Sequence, residues 1–354
     1  MKRLTLLAAL DVHSGYGRTA IAFARGIESL TGARVSIRAS SVNERWTKIP
    51  EGIRERIVCG PQSGEWELLV HHPNFVPTPG KKTAYFSMNE STRLSPLSVH
   101  LLNKAAVAIA PSEFCAVTFS ASGVTSPIRV VPLGVDRTLY GWRPKPGGDA
   151  VIFGAAGSMA GGDARKGLDE VVAAFQKAFP RSGDFKVRLK IKCHPDRQTA
   201  DWADLMDDRI EVTAAHFGEA ELRDWYASLH CFVSVSKGEG FGMMPLEAMA
   251  CGRPVISPKF GGVTEYFNED RGYVVPHTLV PAPPPYCGHW CSVKESDLIA
   301  EMALFYAFQK VHGDGKREAM AISEFSWDRT CEKLVAVLEE FGALADAPEE
   351  FYAL

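Results

Sequence analysis

Along the first part of the chain, short apolar runs alternate with stretches whose apolar positions recur every three or four residues. Runs at 4–10, 35–37, 68–71, 83–86, 105–110 and 128–132 are too continuously apolar for half-exposed strands. They predict buried strands of a parallel sheet. Between the first two, 19–30 reads as a helix with apolar positions Ile21, Ala22, Phe23, Ile27 and Leu30. The segment Tyr140-Gly141-Trp142-Arg143-Pro144-Lys145-Pro146-Gly147-Gly148 breaks the pattern and reads as a linker. Beyond it the alternation restarts, with strands expected at 151–154, 187–193, 231–236 and 254–257 and helices at 168–179 and 222–229. A last amphipathic helix is expected at 327–341, where Leu334, Val335, Val337, Leu338 and Phe341 need a partner surface. The pattern predicts an α/β protein of two Rossmann-like domains with parallel sheets facing a cleft. The divisions expected are 1–143, 144–326 and a terminal helix and tail at 327–354.

Composition narrows this picture without changing it. A chain of 354 residues is long enough for two cores, and 46% hydrophobic with 23% charged residues is globular. A net charge of −3 disfavours a broad nucleic-acid surface. The eight cysteines show no disulfide rhythm, and several sit inside apolar runs, as in Leu229-His230-Cys231-Phe232-Val233. They read as reduced thiols of a cytoplasmic protein. Cys287-Gly288-His289-Trp290-Cys291 groups three zinc-ligand types, but no second Cys/His pair follows to complete a tetrahedral site. The stretch 1–10 superficially resembles a signal peptide, yet the apolar run stops at Asp11 and leads into a glycine loop, as a first buried strand would. No uncharged apolar stretch reaches spanning length, so a soluble or at most membrane-peripheral protein is expected.

The chemistry concentrates in Ser236-Lys237-Gly238-Glu239-Gly240-Phe241-Gly242-Met243-Met244-Pro245-Leu246-Glu247-Ala248-Met249-Ala250-Cys251-Gly252-Arg253-Pro254-Val255. A strand feeds a glycine-rich loop, and a short helix follows. Pro245 suits the first turn, and Gly252 and Pro254 end the helix. Such a loop aims free backbone N–H groups and the positive helix end at an anion such as a diphosphate. Glu239 in the loop and Glu247 on the helix are positioned to accept hydrogen bonds from sugar or ribose hydroxyls.

This stretch resembles the Glu-x7-Glu motif of the retaining glycosyltransferases of family four (glycosyl transferases group 1). The resemblance implies the GT-B fold, with a C-terminal helix returning to the N-terminal domain. It implies a nucleotide-sugar donor, UDP or GDP being the expected base, and no further cofactor. On that footing Glu239 contacts the transferred sugar and steadies developing positive charge, while Glu247 holds the ribose. Gly240, Phe241, Gly242 and Met243 line the sugar and phosphate site.

Gly157-Ser158 … Arg165-Lys166-Gly167-Leu168 is similar to the family's diphosphate loop, which assigns Lys166 and Arg165 to the donor. Arg165 adjoins the lysine here, whereas the family often has its arginine several residues earlier. Further matches are Pro132-Leu133-Gly134-Val135-Asp136 at the end of the first domain, Phe260 to Glu265 after the motif helix, and Phe325-Ser326-Trp327 at the terminal helix. On the acceptor side, Asp11-Val12-His13-Ser14-Gly15-Tyr16-Gly17-Arg18 resembles the family's glycine loop, giving Gly17 a donor-site place. Leu69-Val70-His71-His72 resembles the segment with an active-site histidine, giving His71 a catalytic one. Asn89, Glu90 and Arg93 follow a strand end near the expected acceptor, and His194, His216 and Phe217 lie near the expected base pocket.

There is no Asp-x-Asp to hold a divalent cation, so Lys166 and the helix end are expected to serve without a metal. The expected acceptor is a hydroxyl of a glycan, lipid-linked sugar, small molecule or modified base. Three other readings were weighed. Gly15-Tyr16-Gly17-Arg18-Thr19-Ala20 satisfies the dinucleotide pattern, but the second strand ends in Arg38-Ala39-Ser40 without the ribose-binding carboxylate. A nucleotide-sugar epimerase of the same architecture and a non-catalytic sugar-nucleotide binder complete the alternatives. The proline-rich insertion 276–291 has no counterpart in the family pattern.

Overall fold

The computed structural model describes residues 3–10, 14–42, 49–58, 64–157, 164–193, 207–309 and 313–344. The chain divides into two compact units. One comprises Met1–Asn89, Arg93–Gly134 and Phe325–Leu354, and the other Glu90–Thr92 with Val135–Glu324.

The first unit runs β1 (Arg3–Leu10), α1 (Gly15–Thr31), β2 (Arg34–Val42), α2 (Glu51–Arg54), β3 (Trp66–Val70), β4 (Lys82–Phe86), α3 (Pro96–Leu102), β5 (Val107–Ala110), α4 (Glu113–Ala121) and β6 (Ile128–Val130). Its strands form a six-stranded sheet in the order β2-β1-β3-β4-β5-β6, every pairing parallel. Burial of all five residues of β3 explains its unbroken apolar sequence. Helix α1 starts one turn earlier than its apolar pattern indicates. Ser14 caps it, accepting from the Gly17 N–H at 3.0 Å, and left-handed Gly32 ends it.

The second unit continues with β7 (Val151–Gly157), a 3-10 turn at Ala164–Lys166, α5 (Leu168–Ala178), β8 (Val187–Cys193), β9 (Ile210–Ala214), α6 (Glu219–Ala227), β10 (Cys231–Val233), α7 (Met243–Ala250), β11 (Val255–Ser257), β12 (Tyr273–Val274), β13 (His277–Pro281), β14 (His289–Val293), α8 (Glu295–Phe308) and α9 (Lys316–Ala321). A second parallel sheet has the order β12-β11-β10-β7-β8-β9, and β13 and β14 pair antiparallel as a separate hairpin. Phe153, Phe175, Phe179 and Phe305 stack edge to face or tilted at its centre, with centroids 5.5–6.3 Å apart.

Three differences from the sequence reading have physical causes. Residues 135–143 belong to the second unit, ahead of the expected 143/144 division. Tyr140 is buried there, Trp142 Nε1 donates to the Asp314 carbonyl at 2.8 Å, and the Arg143 N–H donates to the Cys251 carbonyl at 3.3 Å. Strand β9 and helix α8 go beyond the expected elements. In β9 only Ile210 is buried, and in α8 Leu304 and Phe308 are exposed beside buried Leu298, Met302 and Phe305, which blurs the helical period. The insertion, for which the sequence gives no element, lies largely in the β13–β14 hairpin.

The terminal helix α10 (Trp327–Glu340) returns to the first unit and packs on α1. The Thr330 hydroxyl donates to the Pro132 carbonyl at 2.9 Å, and the helices meet so closely that a Cβ on Gly26 would lie 2.2 Å from Cys331 Sγ. Gly26→Ala therefore overpacks this seam and should cost about 1–3 kcal/mol. Urea denaturation measures the loss, and adding Cys331→Ala should restore part of it. A Gly26→Ala chain as stable as the parent would show that the helices meet less closely.

Candidate active site

Open parallel sheets bind ligands at the carboxyl ends of strands where the strand order reverses. In the second sheet the reversal lies between β7 and β10. β7 leads toward the turn carrying Arg165 and Lys166, and β10 leads into the loop at 234–242. Lys166 Nζ lies 2.5 Å from Glu239 Oε1. Arg165 Nη1 donates to the Gly238 carbonyl at 2.6 Å and is 3.6 Å from Glu239 Oε2. Its Nη2 is 3.1 Å from Glu90 Oε1. Arg165 is 6% exposed and the Glu239 side chain 12%, so these charges persist only because they are paired.

Burial pushes the Glu239 carboxyl up, but the Lys166 and Arg165 charges outweigh it, and the hydrogen bonds from Lys166 and Ser236 add to them. The group is held below its ordinary value. It is a carboxylate at neutral pH.

The loop keeps its shape through glycines. Gly242 has φ +86°, and a Cβ there would lie 2.5 Å from Val263 Cγ1. Tyr266 Oη donates to the Gly242 carbonyl. The Gly262 N–H donates to the Glu239 carbonyl at 2.7 Å, and a Gly262 Cβ would come within 2.1 Å of the Gly240 carbonyl oxygen. Phe241 is buried, its ring 5.5 Å from that of Tyr266. Met243 opens α7 directly after Gly242. Within α7, Glu247 is 1% exposed and accepts from Tyr226 Oη at 3.0 Å. Tyr226 and Tyr266, which steady these two points, carry no motif and are apparent only from packing. Glu90, expected near the acceptor, pairs instead with Arg165.

Gly17 and His71 lie in the first unit, at the reversal of its sheet between β1 and β3. Gly17 sits in the first turn of α1, its N–H already donating to Ser14. His71 follows β3. Its Nδ1 accepts from the His72 N–H at 2.9 Å, and its ring stacks on Phe75 at 4.0 Å and faces Tyr16 at 6.3 Å. The expectations at Asp11, Val12, His13, Ser158 and His194 lie outside the described residues. Near the expected base pocket, Lys192 Nζ stands 5.8 Å from the Phe217 ring. Of the zinc-type cluster, the Cys291 thiol is buried and donates to the Ser236 carbonyl at 3.4 Å, while His289 is exposed. No group of three metal-ligating side chains assembles among the described residues.

Burial and the neighbouring His72 hold His71 down at about 4. Burial, with Arg253 and Lys145 nearby, does the same to His230, whose Nδ1 accepts from the Ile152 N–H. The unfolded chain takes up these protons near the ordinary value of 6.5, while the folded chain resists until about 4. Folding stability should therefore fall between these limits as pH drops. His71→Asn should flatten that fall, read as the change in urea midpoint between pH 7 and pH 5. An unaltered change would mean that His71 titrates as an open histidine.

Residues 150–282 match the family model described as glycosyl transferases group 1. The lipopolysaccharide core biosynthesis mannosyltransferase LpsB of Rhizobium meliloti (strain 1021) is 38% identical over 71 residues, 19% of this chain and 19% of that protein. A D-inositol 3-phosphate glycosyltransferase of Arthrobacter sp. (strain FB24) is 30% identical over 128 residues, 36% of this chain and 26% of its own length. The chain thus aligns with about a quarter or less of each of these two curated relatives. Among solved structures, Anabaena Alr3699/HepE in complex with UDP and glucose superposes with a TM-score of 0.72 at 13% identity, over 96% of this chain and 100% of that one. WaaG, a glycosyltransferase involved in lipopolysaccharide biosynthesis, gives 0.66 at 14% identity, over 98% and 100%. The chain has the GT-B fold, and its residues 150–282 match the model of the glycosyl transferases group 1 family.

Proposed function

We propose that the protein is a retaining glycosyltransferase that moves a sugar from a nucleoside-diphosphate sugar, UDP or GDP, to an acceptor hydroxyl. The observation that carries this reading is the Lys166–Glu239 pair at the strand-order reversal of the second sheet, with Arg165 closing it from behind. A cation and a carboxylate so placed match the two charges that develop in glycosyl transfer. Negative charge grows on the departing diphosphate and positive charge on the anomeric carbon.

In this reading Lys166 turns from Glu239 to the diphosphate when donor enters, joined by the amides of Gly240, Phe241, Gly242 and Met243 at the start of α7. Glu239, released on one oxygen but still held by Arg165, faces the transferred sugar. Glu247, fastened by Tyr226, accepts from the ribose hydroxyls. The second unit binds most of the donor and the acceptor enters from the first, where Gly17 keeps its donor-site place and His71 lies at the end of the same sheet. With its Nδ1 taken by the His72 N–H, a neutral His71 carries its proton on Nε2 and can donate it to an acceptor or sugar oxygen. The cations Lys166 and Arg165 supply positive charge that a metal would otherwise bring, so turnover is expected without a divalent ion. Proton transfer from the acceptor to the leaving diphosphate on the same face accounts for retention without a protein nucleophile. A cytoplasmic, membrane-peripheral place fits this chemistry, and no described helix is long and apolar enough to cross a membrane.

The test is a screen of UDP-, GDP-, ADP- and dTDP-sugars in the presence of EDTA, reading thermal stabilisation and nucleotide release. One donor should stabilise the protein, and Lys166→Ala should weaken its binding by about tenfold or more, as loss of a charge-assisted contact does. Glu239→Gln should lower turnover by about 100–1,000-fold with nucleotide affinity nearly kept. Stabilisation by NAD instead, or full turnover in Glu239→Gln, would end this reading.

A further inference from the structure

The hairpin β13–β14 and the tripeptide Glu90–Thr92 hold each other. The Thr92 N–H donates to the His289 carbonyl at 3.1 Å, and the His289 N–H donates back to Thr92 Oγ1 at 2.8 Å. Tyr286 Oη, at the hairpin turn, donates to Glu90 Oε2 at 3.2 Å. Along the same edge of β14 the hairpin is bonded to the motif loop, through the Cys291 N–H to the Lys237 carbonyl at 2.8 Å. The fit is tight enough that a Cβ on Gly238 would lie 1.9 Å from the Glu90 carbonyl oxygen. The free carboxylate oxygen of Glu90, Oε1, then meets Arg165 Nη2 at 3.1 Å.

We propose that Glu90 is a positioning residue of the donor site, held on Arg165 by the β13–β14 hairpin. The assignment rests on the reading of Lys166 and Glu239 as that site. Among the described residues Arg165 is a rigid fork between two carboxylates and the Gly238 carbonyl, and each holds part of the guanidinium. Glu90 holds one nitrogen, so the other reaches the Gly238 carbonyl and stands off from Glu239 at 3.6 Å. Without Glu90 the guanidinium would close on Glu239 as a two-point pair. That would tie up the carboxylate needed by the transferred sugar. The balance of charge supports the same role. Among the described residues Glu90 and Glu239 set two carboxylates against Arg165 and Lys166, so Arg165 keeps Glu90 and the Gly238 carbonyl when Lys166 leaves for a diphosphate. The insertion 276–291 thereby gains a function, since its turn residue Tyr286 fixes the oxygen of Glu90 that does not touch Arg165.

The experiment compares Glu90→Gln, Tyr286→Phe and their double variant, using the full chain and the donor found in the screen. Glu90→Gln should lower kcat about tenfold with donor KM changed less than about twofold, the mark of an interaction felt in the transition state. Tyr286→Phe removes one hydroxyl and should lower kcat less, and the double variant should be no worse than Glu90→Gln alone, because the two act in series. An unchanged kcat in Glu90→Gln, or losses that multiply in the double variant, would overturn the proposal. A urea-denaturation cycle of Glu90→Gln with Arg165→Gln reads the contact without turnover, and the double variant should be no less stable than the weaker single one. If the parent chain turns over no donor, the functional reading fails by itself, and the cycle still decides whether Glu90 holds Arg165. Additive losses there would remove the contact on which the positioning role depends.

Discussion

A carboxylate withdrawn from water needs cations beside it, and the arrangement of the second unit follows from meeting that need for Glu239. Isolated, such a group would give up its charge instead of remaining ionised. Lys166 and Arg165 keep it charged, and both come from one short turn after β7 while Glu239 comes from the loop after β10. These loops are neighbours only because the sheet order reverses between those two strands. Removing one member of a buried pair typically costs about 3–5 kcal/mol, so the cluster and the sheet order support each other.

Backbone approach is the second constraint. The motif loop is pressed between the hairpin and Glu90 on one side and the 3-10 turn Gly261–Glu265 on the other, at separations that leave no room for a Cβ. Gly238 and Gly262 serve this close approach, whereas Gly242 and Gly261 also adopt left-handed backbone angles that side chains avoid. The glycines read as a phosphate cradle are thus equally packing residues. The proposed cradle would need the same packing, because amides turned toward a ligand require a backbone fixed from behind.

The strand pattern, the Glu239–Glu247 spacing and the Arg165-Lys166 pair were all legible in the sequence. Period and motif order are local properties, and they survive translation into β7, α5, β10 and α7 almost unchanged. The terminal helix was legible too, since an amphipathic face at 334–341 must be covered, and α1 covers it. Less legible were β9, whose single buried residue gives no alternation, and α8, whose exposed Leu304 and Phe308 spread its apolar face.

What only the tertiary structure decided is which side chains serve the motif. Tyr226 on Glu247, Tyr266 on Gly242 and Glu90 on Arg165 join positions far apart in the chain. No periodicity encodes such pairs, because each depends on how separate elements pack. The insertion 276–291 shows this most plainly. Its composition is proline-rich and predicts no element, yet antiparallel pairing of His277 with Val293 folds it into a hairpin whose tyrosine reaches Glu90. Sequence determined the two α/β halves and the charged residues of the motif loop and the turn before α5, which follow from local pattern. Packing determined the orientation of those charges, because the partners that hold them are set by the fold.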